Sequence, residues 1–203
     1  MLTTKQVLDT ALSRSKDTSA TLRAKMLIWL NSAMQDVVND RNWTFLEKTV
    51  PLPIVGGQLP LPADFGGEIF IKTGIYIFTV ADRLTLSDAA RWDAAGGDPH
   101  GYTIENDTTL TFHPTASGTA TLTYTAQVPA AGYTDGATPT IFPQDFVPYF
   151  ERELTAAFYE YDVDADRLPV GIQLSSDKYR TLKKLDNSRR PLPSLHPRGY
   201  VRP

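Results

Sequence analysis

The residues that could do chemistry are few, and their spacing is poor for it. Cysteine is absent, which removes thiolate ligands, cysteine nucleophiles and disulfides. The 3 histidines are His100 in a Gly/Pro loop, His113 beside Pro114, and His196 near the C-terminus. None has a partner at a metal-ligand spacing such as H-x-x-x-H. Gly56-Gly57, Gly66-Gly67 and Gly96-Gly97 lack the Lys-Ser/Thr that follows a phosphate loop, so they read as turns. Asp162-Val163-Asp164-Ala165-Asp166 alternates carboxylates like the first half of a calcium loop. The Gly and Glu that such a loop requires are replaced by Arg167 and Gln173, leaving a solvated acidic turn. A glycosidase-type carboxylate pair would be distant in sequence, and no spacing singles one out. No catalytic residue, metal or cofactor is expected.

Charge carries more information than any motif. Over 203 residues, 20 Lys and Arg face 23 Asp and Glu, a net charge of −3. From 178 onward there are eight basic residues and one acid, Asp186, so that end is +7 and the remainder −10. The body is thus unsuited to coating nucleic acid. The basic end also holds Leu192, Leu195, Tyr200 and Val201 among prolines. Arginine forks, a rigid tyrosine and proline-reduced entropy suit an arm that docks on a partner surface. No apolar run approaches the ~18 residues that span a bilayer. Residues 1–17 lack the apolar core of a secretory signal, so synthesis in the cytoplasm and no membrane partner are expected.

The elements that position these residues follow from proline and periodicity. None of the 15 prolines precedes Pro51, and 4 lie in the last 13 residues. Thr3 and Gln6 form a capping box for a first helix with Val7, Leu8, Ala11 and Leu12 on one face. A longer helix follows, with Leu22, Met26, Trp29, Ala33 and Val37 in a stripe widened by Leu30, Met34 and Val38; Trp29 is expected in the core. Period-two patterning then predicts strands over 44–52, 68–72, 74–80, 101–105, 109–113 and 119–127. Glu105-Asn106-Asp107 is expected to turn a hairpin, and 87–95 to form a short helix capped by Ser87. After Pro143, a helix carries Val147, Phe150, Leu154, Ala157, Phe158 and Tyr161. A last, shorter helix carries Leu174, Tyr179, Leu182 and Leu185. The expected class is α+β: helices of 1–43 and 143–187 packed as one domain, an inserted antiparallel β region over 44–142, and an extended Pro/Arg-rich arm over 188–203.

Several local pieces occur in a familiar order. Val37-Val38-Asn39-Asp40-Arg41-Asn42-Trp43-Thr44-Phe45 leaves the second helix, and Leu59-Pro60-Leu61-Pro62-Ala63-Asp64-Phe65 enters the β region. Gly101-Tyr102-Thr103-Ile104, Leu110-Thr111-Phe112-His113-Pro114 and Leu122-Thr123-Tyr124 follow, and Phe142-Pro143-Gln144-Asp145-Phe146 opens the later helix. Across nearly the whole chain this order resembles the head-to-tail adaptor (head-completion, connector) proteins of tailed bacteriophages.

The resemblance implies a non-enzymatic structural protein of the virion's head–tail junction, acting in virus assembly and viral genome ejection. It implies a homo-oligomeric ring, commonly dodecameric, beneath the portal protein and above a tail or nozzle protein, with DNA passing non-specifically through the channel. The helices would pack neighbouring subunits through Trp29, Met34, Phe150, Phe158 and Tyr161. The portal-docking arm would comprise Arg189, Arg190, Pro191, Leu192, Pro193, Leu195, His196, Arg198, Tyr200 and Arg202. Two other classes remain open on sequence: a virion-associated peptidoglycan hydrolase using two carboxylates, and a β-rich baseplate or receptor-binding module.

Overall fold

In the computed structural model, residues 1–15, 19–106, 108–162 and 167–189 are described. The class is α+β, as expected. The chain divides into two compact units, Met1–Val37 with Tyr133–Pro203, and Val38–Gly132. Sequence patterning placed the corresponding junctions near 43 and 142.

The first unit is built from helices. α1 (Thr4–Ser15) starts where the Thr3 hydroxyl accepts the Gln6 N–H at 3.2 Å, the expected cap. It buries Val7, Leu8, Ala11 and Leu12 as patterned. α2 (Ala20–Asp40) buries Leu22, Met26, Leu30, Met34 and Val37. The inward stripe therefore runs through Leu30 and Met34, and Trp29 and Ala33 lie half-buried at its edge. Trp29 was expected in the core; the 3.6-residue period sets it one position off the stripe's centre. A 3-10 turn over Gln144–Phe146 leads into α4 (Val147–Tyr161), where Pro148 sits in the first turn and loses no intrahelical bond. The short helix before it in the chain, α3 (Leu86–Ala95), belongs to the other unit.

α5 (Leu168–Arg189) has 22 residues, against the shorter helix expected. Pro169 in its first turn and Gly171 just after it mimic a loop in sequence. A Cβ on Gly171 would lie 3.3 Å from Ala156, so this glycine lets α5 approach α4 closely. α5 turns Gly171, Ser175, Leu182 and Asp186 inward, and Leu174 and Leu185 are exposed. α4 packs against both α1 and α5, which explains why Tyr149 and Ala156 are buried alongside Phe150 and Leu154. Phe142, Phe146 and Phe150 form a cluster with ring centroids 5.2–5.9 Å apart, Phe142 standing edge-on to the other two.

The returning segment after Gly132 is tied to these helices by polar contacts. Asn31 accepts the Tyr133 N–H at 2.7 Å and donates to the Tyr133 carbonyl at 2.9 Å. The Thr4 hydroxyl donates to the Thr134 carbonyl at 2.6 Å and accepts the Gly136 N–H at 3.0 Å. Arg23 bridges Asp9 at 2.7 Å and also engages Asp135. Those hydrogen bonds hold the Asp135 carboxyl, and the Asp9 carboxyl already paired with Lys5, below the usual range.

The second unit is an antiparallel β sandwich. β1 (Glu47–Ile54), β2 (Gln58–Pro60), β3 (Phe65–Thr73), β4 (Tyr76–Thr79), β5 (Gly101–Glu105), β6 (Thr109–His113) and β7 (Gly118–Ala126) form two sheets, ordered β1-β7-β3-β4 and β2-β6-β5. β5 and β6 match the expected strands residue for residue. Residues 44–46, expected in a strand, form a 3-10 turn, and β2 was not anticipated. One buried cluster draws on both sheets, including Leu59, Ile71, Phe78, Tyr102, Leu110, Phe112, Leu122 and Tyr124. Gly66-Gly67, read as a turn, lies within β3 at an irregular register. A Cβ on Gly66 would meet the Thr125 carbonyl oxygen at 2.8 Å, so the bulge requires glycine. α3 (Leu86–Ala95) is capped by the Thr85 hydroxyl, which accepts the Asp88 N–H at 3.2 Å. The cap is thus Thr85 and not the expected Ser87, two residues further in.

Candidate functional site

Met34 and Phe150, two of the five residues expected to pack subunits together, are fully buried inside their own chain. They hold the protomer's helices together. Trp29 and Phe158 are half-buried, and Tyr161 at the end of α4 is 53% exposed. Trp29 and Tyr161 lie 5.8 Å apart, and Lys25 donates to the Tyr161 hydroxyl at 2.7 Å. With Ile28, 68% exposed, these side chains give the helical unit an outward aromatic and aliphatic edge.

Arg189 closes α5 and pairs with Asp145 at 2.8 Å, so the arm's first expected residue belongs to the helix. Arg190, Pro191, Leu192, Pro193, Leu195, His196, Arg198, Tyr200 and Arg202 lie outside the described residues. Beside the root of the arm, Gln144, Asp145, Pro148, Lys178, Thr181, Leu182 and Leu185 line a cleft of about 300 Å³. Asp186 is buried, so Lys178, Arg180, Lys183, Lys184 and Arg189 leave the last three turns of α5 cationic on the outside. Lys183 lies over the Tyr179 ring at 4.6 Å.

The few catalytic-looking groups have structural employment. His113 contacts Asp93 at 2.9 Å through Nδ1 and the Thr103 hydroxyl at 3.0 Å through Nε2. The order Asp–His–Thr resembles a nucleophile triad, but Thr103 is buried within β5 and presents no reachable oxygen. The three residues pin α3 to the β5–β6 hairpin. His100 stacks on Trp92 at 4.0 Å; His196 lies outside the described residues. Of the acidic run 162–166 only Asp162 is described, and among the described residues no three His, Asp or Glu side chains cluster as metal ligands.

Asp36 and Glu153 share a cleft of about 200 Å³ with Trp29. Burial pushes the Glu153 carboxyl up, with the Asp36 charge adding to it and a hydrogen bond from Tyr149 opposing it. Ser175 also donates to Glu153, so that carboxyl is engaged in the α4–α5 contact.

The entry motif at Asp64 is the most tightly specified spot in the β unit. Tyr124 donates to Asp64 Oδ1 at 2.8 Å, and Lys48 pairs with Oδ2 at 2.5 Å. Burial raises the Asp64 carboxyl, but those two donors outweigh it and hold the group below the usual range. Tyr124, buried and bound to that carboxylate, is pushed up to about 12. Gly101 plays a comparable steric part: a Cβ there would lie 2.5 Å from the Asp82 carbonyl oxygen and 2.7 Å from Leu84.

The family model for SU10 adaptor protein matches residues 2–197, spanning both units and most of the arm. The chain belongs to the SU10 adaptor protein family. The resemblance to phage head-to-tail adaptors is therefore borne out, and the adaptor is a structural protein of the virion. Membership of a structural adaptor family fits a non-enzymatic role. No curated protein matches the chain. No described helix of the adaptor is long and apolar enough to cross a membrane.

Neither Asp64 nor Gly101 was singled out by chemistry in the sequence; both appeared only as parts of motifs. The spacing that would have found the first contact, Lys48 to Asp64 to Tyr124, spans 16 and then 60 residues.

Proposed function

We propose that this adaptor forms a ring at the head–tail junction, docks to the portal protein through residues 190–203, and joins it to a tail or nozzle protein. DNA passes through the ring without specific contact. The observation that carries the reading is the family match over residues 2–197, which includes most of the arm along with both units. The charge distribution supports it. A body of −10 would let DNA slide, and a basic limb continuing the cationic end of α5 suits a docking surface. Neighbouring copies pack through the edge of Trp29, Phe158 and Tyr161, with Met34 and Phe150 stiffening the helices behind it. A weak arm contact repeated around a ring gives tight attachment without any single strong site.

The deciding experiment removes residues 190–203, a cut that spares the Arg189–Asp145 pair. The truncated protein should keep its thermal midpoint and fail to bind the portal protein in a co-sedimentation assay. Undiminished portal binding by the truncated protein refutes arm docking. Native mass spectrometry of the full chain with its portal should show a closed ring, and a Tyr161→Asp variant should not assemble.

A further inference from the structure

α5 ends beside a cleft to whose wall its last residue is bonded. Pro191 stops the helix there, because the residue before a proline is turned out of the α region. Lys178, Leu182, Leu185 and Arg189 recur at spacings of 4, 3 and 4, so the chain leaves α5 on the face that lines the cleft. The Arg189 guanidinium pairs at 2.8 Å with Asp145, which lines the same cleft together with Pro148 of α4. The apolar lining is Leu182, which is buried, and Pro148 and Leu185, which are exposed. The volume of about 300 Å³ is at the small end for sites that enclose a ligand, which suits a side chain on a short segment better than a folded partner.

We propose that this cleft seats Leu192 of the same chain and so anchors the root of the C-terminal arm. From Arg189 to Leu192 is about 10 Å of extended chain. From Arg189 back to Leu182 is about 10 Å along the helix axis. The first leucine of the arm therefore has the tether that matches the cleft, and Leu195, with twice that tether, overshoots it. Pro191 and Pro193 restrict the backbone on either side of Leu192, so burying its side chain costs less freedom than it would in an unrestricted segment. A short tether also supplies an effective concentration on the order of millimolar, which lets a modest apolar contact persist. An anchored root leaves Arg198, Tyr200 and Arg202 for a partner. The inference concerns the isolated chain and does not rest on portal docking or on ring formation.

The absence of cysteine makes disulfide trapping in the full chain a clean test. Thr181→Cys with Ser194→Cys puts one thiol in the cleft lining and one just beyond Leu192, which stays intact. A bond between them needs the two Cα atoms within about 7 Å. Under oxidised glutathione this pair should close within the monomer, read by non-reducing electrophoresis and peptide mass mapping. Arg180→Cys with Ser194→Cys is the control, because position 180 lies on the opposite face of α5 at nearly the same height. It should close about tenfold more slowly, and so should the first pair when Leu192→Asp is added. Thr181 and Arg180 are exposed, so the variants should keep the wild-type thermal midpoint. Equal rates in all three proteins, or no bond in the first, overturn the anchor. Disulfide-linked dimers of the first pair overturn the choice of occupant, because the leucine of a second copy would then fill the cleft.

Discussion

Replacing Tyr124 by Phe removes one hydroxyl from the β unit and leaves the ring in place. That hydroxyl donates at 2.8 Å to Asp64, whose side chain is 35% exposed and also paired with Lys48. A hydrogen bond to a charged group is worth about 1.5–3 kcal/mol when its partner is buried. Asp64 keeps access to water, so the lower end applies: Tyr124→Phe should cost about 1.5 kcal/mol. Asp64→Asn keeps the shape but removes the charge and the ion pair with half-exposed Lys48, a further loss of about 0.5 kcal/mol. The double variant should then show a coupling of about 1 kcal/mol at pH 7.

Linkage fixes the pH dependence of that coupling. The Asp64 carboxyl sits below its ordinary 3.8 in the folded protein, so folding favours the ionised form. The resulting stability is fully present above 3.8 and is lost as pH falls through the lower folded value. Urea titrations of the four proteins at pH 7, 5 and 3 measure the cycle directly. Amide exchange in β3 and β7 assigns the loss to this corner. A coupling within about 0.3 kcal/mol of zero at pH 7, or one that grows on acidification, refutes the account of Asp64 as a charged lock on β3.

Gly101→Ala should destabilise the β unit by about 3 kcal/mol or prevent its folding, because the added methyl meets a carbonyl oxygen and Leu84 at once; circular dichroism melts decide it. Arg23→Met should cost about 1 kcal/mol by removing a half-buried, doubly paired charge. Its deficit should shrink as pH falls below 3.8, where Asp9 and Asp135 protonate. Glu153→Gln should raise the thermal midpoint at pH 7, since a carboxyl raised by burial loses stability as pH climbs through its folded value. The gain should vanish below pH 4.5, the group's ordinary value; an unchanged midpoint at pH 7 would show that Glu153 is not penalised by its surroundings.

How far the sequence could be read depended on whether neighbours in space were neighbours in the chain. β5 and β6 were legible to the residue because Asn106 adopts a left-handed turn, φ +50°, that the flanking alternation already demands. α1 was legible because its cap and its apolar face lie within nine residues. β2 was not: Gln58–Pro60 is three residues long and ends in proline, so it has the composition of a turn and exists by pairing with β6. The opening of α5 failed for the opposite reason, since Pro169 and Gly171 look like a loop. Proline is harmless in a first turn, and glycine is needed there by Ala156, which comes 15 residues earlier.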